Sequence, residues 1–376
     1  MTGKETRHMK VALLIDSLGF GGAQRQIVNL AVELKALGHD ISVVRYHKDD
    51  FYLPFLQKAG IELITVATDG VFSRLLQIRK VIRSIAPDVV ISFMGTPNFC
   101  ASVASIGRRS WKLIISERVA KNSNFQSPKA RIMKKVQALC ADAIVCNSKA
   151  ARDMWAHYYP GTASKLAIIY NIIDVPALQG QPIQDGKCRI LIAARYEPVK
   201  NLQGLLQAIL LLSDEERKKL ELHWYGNENV VVGGESVLLS GKRFVTENGL
   251  TDTVFLHPAT DQIYSHMVES DFVALFSHAE GLPNAIIEGM SLRKPVIMSR
   301  VSDYDVLVSP DNGFCCDPAS TEDISRVLRN AIHSTPEQRR IMGQYSWDKV
   351  KKVCAHDAVV AKWNDLISTL CSQVRK

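Results

Sequence analysis

The feature that most constrains this chain is a rhythm of short apolar runs, each followed by an amphipathic helical pattern, that fills nearly the whole sequence. Residues 11–15 read as a buried strand, 24–37 as a helix closed by Gly38, and 41–44 as the next strand. Two strands apolar along their whole length with a helix between them form a βαβ unit, and that requires a parallel sheet covered on both faces. Further strands are expected at 61–66, 89–93, 113–116 and 143–146, with helices at 72–85, 97–106, 128–139 and 149–157. After a Gly, Pro and polar stretch at 179–186, read as a linker, the rhythm starts again. Strands are expected at 189–194, 221–225, 254–256, 272–276, 295–298 and 313–316, a helix at 202–212, and one or two helices over 347–371. The expected class is α/β, with two doubly wound Rossmann-like domains facing a cleft. They span residues 1–180 and 187–350, and a final helical segment covers 351–376. The length of 376 residues suits two domains. Ligands of such sheets bind at the loops after the strands, so those loops are where chemistry is sought.

Composition narrows the function classes. With 47% hydrophobic and 22% charged residues and no long biased tract, the chain should be ordered nearly throughout. The net charge of +8 is unevenly spread: residues 1–180 hold 24 Lys and Arg against 13 Asp and Glu, and the remainder 22 against 25. A basic first half suits a nucleic acid, an anionic membrane surface or a polyphosphate substrate. Eight cysteines, from Cys100 to Cys371, show no C-x-x-C pair and no His at ligand spacing, so reduced buried thiols are expected and no zinc site. The first ten residues lack an apolar signal core, and no apolar run reaches the roughly 18–20 residues of a membrane span.

The most informative segment runs from Phe272 to Leu292: a strand, a turn over 278–283, and a helix from about Asn284. Pro283 suits the first turn of that helix, whose free amides form an anion site toward the ligand edge. Glu280 lies on the edge, and Glu288 returns toward the same side one turn past Asn284. Phosphates for the amides and hydroxyls for the carboxylates describe a sugar nucleotide; a capping Glu280 with a solvated Glu288 accounts for the residues equally well.

Glu280 and Glu288, with Gly281-Leu282-Pro283 and Gly289-Met290, resemble the E-x7-E motif of retaining glycosyltransferases of family four. A second feature supports the resemblance: Ala193-Ala-Arg195-Tyr-Glu-Pro-Val-Lys200-Asn resembles the family's Gly-Arg-x-x-x-x-Lys loop, with Ala194 in place of the usual Gly. A departing nucleoside diphosphate gains negative charge, and a guanidinium and an ammonium at that point stabilise the transition state. Two surface cations in a loop are the plain alternative. Gly19-Phe-Gly21-Gly22-Ala-Gln24 is not a dinucleotide fingerprint, because Gln24 stands where the third glycine belongs. It resembles the family's Gly-Gly-Ala-Glu segment, in which glycines let backbone amides approach donor or acceptor; a tight turn explains the glycines as well. Ser116-Glu117-Arg118 stands where many members carry a His, and resembles a subgroup of bacterial surface-polysaccharide enzymes with lipid-linked acceptors. Glu117 is expected to orient a sugar and Arg118 to meet a pyrophosphate, or the two simply pair with each other. Asp303-Tyr-Asp305 looks like a metal-binding D-x-D but is read as two solvated aspartates.

The resemblance implies the GT-B fold, with the final helix of 351–376 crossing back to the first domain, and transfer of a hexose or N-acetylhexosamine from a nucleotide sugar, with UDP the expected carrier, to a glycan or polyprenyl-diphosphate-linked acceptor in surface polysaccharide synthesis. Retention, no metal and no other cofactor are implied. Arg195, Lys200, Glu280 and Glu117 are the expected catalytic set. Gly21, Gly22, Arg195, Lys200, Gly281, Leu282, Pro283, Asn284 and Glu288 are the expected donor-binding set. Helices 72–85 and 129–139 are basic on one side and apolar on the other, which suits either an anionic membrane surface or a sheet. A cytoplasmic protein, free or peripheral on the inner face of the plasma membrane, is expected, with no nucleic-acid partner. A nucleotide-sugar 2-epimerase and a non-enzymatic basic binding module are the competing readings.

Overall fold

The computed structural model describes residues 8–67, 70–118, 123–175, 178, 180–228, 231–232 and 235–372. By internal contacts the chain divides into two units, Met1–Ile172 with His356–Lys376, and Ile173–Ala355.

The first unit runs β1 (Lys10–Leu14), α1 (Gly22–Ala36), β2 (Asp40–Arg45), α2 (Leu53–Lys58), β3 (Glu62–Thr65), α3 (Val71–Ile85), β4 (Val89–Phe93) and α4 (Gly95–Ala104). It continues through β5 (Lys112–Glu117), α5 (Ser123–Gln126), α6 (Pro128–Cys140), β6 (Ala143–Cys146), α7 (Lys149–Tyr158) and β7 (Leu166–Ile168). The seven strands form one parallel sheet in the order β3-β2-β1-β4-β5-β6-β7. Alternation along β1 builds both cores: Val11 and Leu13 enter one with Ile27 and Leu30 of α1, and Ala12 and Leu14 enter the other with Ile78 and Ile82 of α3.

The second unit comprises β8 (Cys188–Ala193), α8 (Leu202–Leu210), α9 (Asp214–Lys218), β9 (Leu220–Gly226), β10 (Val231–Val232), β11 (Glu235–Ser236), α10 (Val237–Glu247), β12 (Val254–Pro258) and α11 (Ile263–Glu269). Then follow β13 (Phe272–Leu275), α12 (Asn284–Ser291), β14 (Val296–Ser299), α13 (Tyr304–Leu307), β15 (Gly313–Cys316), α14 (Thr321–His333) and α15 (Pro336–Cys354). Its main sheet is also parallel, ordered β12-β9-β8-β13-β14-β15. α16 (His356–Ser372) belongs to the first unit, burying Val359, Trp363 and Ile367 in the core that holds α1, with Trp363 stacked 6.0 Å from Phe93 of β4.

Three local readings change. The unit boundary falls at Ile172 rather than 180, because Ile169 and Ile172 are buried in the first core and Gln26 donates to the Ile172 carbonyl at 2.8 Å. The stretch read as a linker is not free either: Ile183 donates its N–H to the Glu269 carbonyl at 3.2 Å; Gln179 lies outside the described residues. At the other end α15 begins at Pro336, eleven residues before the expected start, where Thr335 and Gln338 form a reciprocal capping box. The amphipathic α14, absent from the sequence reading, buries Ile324, Val327 and Leu328 in the core that holds α8.

All eight cysteines are free, and five of them are buried. Truncating the fully enclosed Trp363 to Ala should lower stability in urea unfolding by about 3–5 kcal/mol, the usual cost of removing a large core aromatic. A change below 1 kcal/mol would mean that α16 contributes little to the first unit's core.

Candidate functional site

In each sheet the strand order reverses at one place, between β1 and β4 in the first unit and between β8 and β13 in the second. Loops leaving two such strands diverge to opposite faces and leave a crevice at the strands' carboxyl ends. The loop after β8 carries Arg195 and Lys200, and the loop after β13 carries Glu280 to Pro283. The second unit therefore brings its expected residues to its switch point.

The two loops are joined there. Lys200 Nζ donates to Glu280 Oε1 at 2.5 Å, both side chains are mostly buried, and the His278 N–H donates to the Val199 carbonyl at 2.8 Å. Arg195 lies apart, half-exposed and paired with Glu197 at 2.9 Å. The backbone between them is held from below. Tyr196, fully buried, donates its hydroxyl to the carbonyls of Trp224 and His257, and Trp224 Nε1 donates to the Ala194 carbonyl at 2.8 Å. That carbonyl runs so close to Gly226 that a Cβ there would come within 2.0 Å of it, so only glycine fits. Asn201 closes the loop in the left-handed region, φ 63°, and donates to the Pro318 carbonyl at 2.8 Å. The sequence reading passed over Asn201, although an asparagine immediately before an apolar helix is a local signal for such a turn.

α12 begins at Asn284 as expected, but Pro283 is its N-cap rather than part of its first turn. A proline offers no capping side chain, so nothing of the N-cap covers the positive end of the helix. Gly281, Leu282 and Pro283 are buried, and the Gly281 carbonyl accepts from Ser302 Oγ, which fixes the turn. Glu288 is not the solvated residue of the plain reading; it is buried, at 5% exposure. The expectation of two solvated aspartates fails at one of them: Asp303 is buried as N-cap of α13, and Asp305 alone is exposed. Among the described residues no three His, Cys, Asp or Glu side chains converge as a metal set.

The first unit departs from expectation at Glu117. Its carboxylate is buried, accepts from Lys134 Nζ, and also accepts from Trp155 Nε1 at 3.2 Å. The partner is Lys134 of α6, not Arg118. Arg118 instead lies over the Phe93 ring, 3.9 Å from its centroid, and donates to Asn171 Oδ1 at 2.6 Å. Its Nε is buried with no partner among the described residues, and burial pulls its pKa down while Cys146 and Glu117 oppose that shift. The loop beyond it, 119–122, lies outside the described residues. At the β1–β4 switch point Gly21 is the N-cap of α1 and Gly22 its first residue. Gln24 Nε2 donates to Asp16 Oδ1 at 3.2 Å and reaches Met94 Sδ at 3.7 Å. Met94 has φ 79°, a strained value for a side-chain-bearing residue, immediately after β4.

Doubly wound units with charged loops at their switch points are the architecture of nucleotide-handling α/β proteins. The family models for Glycosyltransferase Family 4 and Glycosyl transferases group 1 match residues 20–176 and 177–348. The chain belongs to these glycosyltransferases, and its two Rossmann-like domains are those of the GT-B fold. It is 24% identical over 304 residues, 77% of this chain and 80% of the relative, to the N-acetylgalactosamine-N,N'-diacetylbacillosaminyl-diphospho-undecaprenol 4-alpha-N-acetylgalactosaminyltransferase of Campylobacter jejuni. It is 22% identical to an alpha-1,3/1,6-mannosyltransferase of Dictyostelium discoideum, covering 90% of this chain and 93% of that one. Among solved structures, Anabaena HepE in complex with UDP and glucose aligns with a TM-score of 0.82 at 18% identity, covering 96% of this chain and 100% of that chain.

The buried Glu117–Lys134 pair makes a prediction of its own. Lys134→Met should destabilise the chain by about 3–5 kcal/mol in urea, because it strands a buried carboxylate, and Glu117→Gln added to it should recover most of that loss. If Glu117→Gln alone lowered glycosyl transfer with stability unchanged, the carboxylate would be meeting a ligand after all.

Proposed function

We propose that this glycosyltransferase transfers a hexose or N-acetylhexosamine from a nucleoside diphosphate sugar, UDP in the first instance, with retention of anomeric configuration. The acceptor is a glycan carried on a polyprenyl diphosphate, in the assembly of a bacterial surface polysaccharide. The observation that carries this reading is the Lys200–Glu280 pair on the two switch-point loops, beside the α12 start that Pro283 cannot cap. A donor diphosphate competes with Glu280 for the Lys200 ammonium and accepts from the first amides of α12. Arg195, half-exposed in the same loop, is free to swing from Glu197 to the phosphates. Glu280 and Glu288 then accept from sugar hydroxyls.

In the transfer step the bond between the anomeric carbon and the phosphate oxygen breaks, and its electron pair stays on the diphosphate. The acceptor oxygen bonds the same carbon from the same face and passes its proton to the departing phosphate oxygen. Lys200 and Arg195 stabilise the charge that grows there, which is the service a divalent metal would otherwise perform. The Campylobacter relative, by its printed name, acts on a diphospho-undecaprenol glycan, which supports a lipid-linked acceptor. The HepE structure holds UDP and glucose, which supports the donor class.

No helix of the described residues is long and apolar enough to cross a membrane. Lipid-linked acceptors are reached instead from a membrane surface, and two helices of the first unit suit one. Phe72 and Leu76 of α3, 75% and 56% exposed, lie near Lys80 and Arg83, and Ile132 and Leu139 of α6 share a face with Lys135.

Calorimetric titration with UDP, GDP and ADP, followed by a donor screen on a prenyl-diphosphate-linked sugar, tests the reading. Lys200→Ala should weaken UDP binding and lower kcat/KM by about 10²–10³-fold, as loss of one charge-stabilising donor does. Unchanged UDP binding and transfer in Lys200→Ala and Glu288→Ala would place the donor elsewhere. Conversion of the donor sugar to its 2-epimer without any acceptor would identify an epimerase.

A further inference from the structure

Between α5, α6 and the end of α7 the first unit holds a cavity of about 420 Å³, within the roughly 300–1,000 Å³ of small-ligand sites. Its floor is aromatic and fixed. Phe125 is buried with its ring edge to face with Trp155 at 5.6 Å and stacked on Tyr158 at 5.2 Å. Gln126 Nε2 donates to the Tyr158 hydroxyl at 3.0 Å, and Tyr159 donates its hydroxyl to the Arg131 carbonyl at 2.9 Å. These contacts set the walls before any ligand arrives, which lowers the ordering cost of binding.

The polar groups that line the cavity are donors without an acceptor to match. Arg131 and Lys135 face it from neighbouring turns of α6. Both are exposed, and among the described residues neither pairs with a carboxylate. Like charges four residues apart on a helix repel, and nothing negative in the lining relieves them. The Tyr158 hydroxyl already accepts from Gln126, so its own proton is left to donate. α3, α4, α5 and α6 contain no Asp or Glu, and α7 contains one, Asp153, which pairs with Arg152. The Glu117 carboxylate that reaches Trp155 is already taken by Lys134. Such a lining selects an anion, and a phosphate group offers enough oxygens for the Arg131 fork, the Lys135 ammonium and the Tyr158 hydroxyl together.

The rim selects what the phosphate is attached to. Ile132 borders the cavity at 65% exposure, and Leu139, two turns on, is 73% exposed. They share the outer side of α6 with Arg131 and Lys135, so aliphatic and cationic groups alternate on a surface without acids, the make-up of a helix lying in an anionic interface. α4 packs on both α3 and α6, which places the exposed Phe72 and Leu76 of α3 in the same helical layer. A soluble phosphate ester leaves these aliphatic side chains in water, whereas the acyl chains of a lipid bury them.

We infer that this cavity binds the phosphodiester headgroup of an anionic glycerophospholipid, held by Arg131, Lys135 and Tyr158 over the Phe125 floor, with its acyl chains against Ile132 and Leu139. The inference deepens, and rests on, the reading of the first unit as the membrane-facing one; it is independent of the Lys200–Glu280 donor assignment. A defined headgroup site makes attachment saturable and selective, where a basic surface by itself is neither.

Calorimetric titration of the full chain with dihexanoyl phosphatidylglycerol below its micelle concentration reads the cavity without a membrane, and sedimentation with phosphatidylglycerol vesicles reads the surface. The short-chain lipid should bind saturably and about tenfold more tightly than dihexanoyl phosphatidylcholine, whose choline offsets the phosphate charge. Arg131→Gln combined with Lys135→Gln should weaken it about tenfold or more. Lys80→Gln combined with Arg83→Gln, which removes the same charge from α3, should leave it unchanged, and UDP affinity should be unchanged in both double variants. Equal losses in the two double variants, no preference for phosphatidylglycerol, or glycerol 3-phosphate binding as tightly as the lipid overturns the inference. Sedimentation with vesicles but no binding of the short-chain lipid removes the headgroup site and leaves the membrane-facing surface. Binding of the short-chain lipid without sedimentation keeps the site and removes the surface, and absence of both removes both.

Discussion

A parallel sheet that sends its central crossovers to opposite faces cannot cover the loops at the reversal, and both sheets of this chain have one such place. In the second unit the reversal lies between β8 and β13. α8 packs into the core on one face, and α12 lies so close on the other that a Cβ on Gly289 would meet Val273 at 2.7 Å. With their helices drawn apart, the loops carrying Lys200 and Glu280 are left to face each other. The ion pair between them and the His278–Val199 hydrogen bond hold that mouth in shape. The uncapped start of α12, the buried Tyr196 and the glycine demanded at position 226 all serve the same few residues.

The first unit has the same topology and spends it differently. At its reversal the polar groups satisfy one another: Gln24 reaches Asp16 and Met94, and Met94 holds a strained backbone just past β4. The Glu117 carboxylate and the Lys134 ammonium are buried together, with Trp155 supplying a further donor. Such a pair gains little net stability over an apolar one, but it fixes how α6 sits against β5 and α7, since either charge alone would be stranded. Arg118 is occupied too, lying over Phe93 and donating to Asn171, while the two loops after β1 and β2 carry an exposed aromatic surface.

The strands were legible because buried parallel strands are unbroken apolar runs, and 89–93, 143–146 and 313–316 coincide with β4, β6 and β15 to the residue. Helices whose apolar face is narrow and whose neighbours are polar, such as α10 and α11, were not read, and neither was α14 despite its clear stripe. The reading of 179–186 as a linker failed because polar composition says nothing about whether a backbone N–H has found a carbonyl, as Ile183 has on Glu269. Lys200, Glu280 and the start of α12 were legible as a site only through the resemblance of their surroundings to a known family's motifs; read alone, they also fitted a capping Glu280 and two surface cations.

What the sequence determined by itself is the period of the elements, and with it the class of fold and the two loops of the second unit on which charge would be concentrated. These are local properties, set by the alternation of apolar and polar side chains along a few residues. Which partner each carboxylate takes, and how deeply it is buried, is not local. Glu117 and Glu280 each follow a buried strand or end it, and nothing in their neighbours separates them. Lys134, seventeen residues on, holds the first inside the first unit, and Lys200, eighty residues before, meets the second on the loop after β13. Only the tertiary structure decides that, because the partner that settles the fate of a charge is brought to it by packing rather than by sequence.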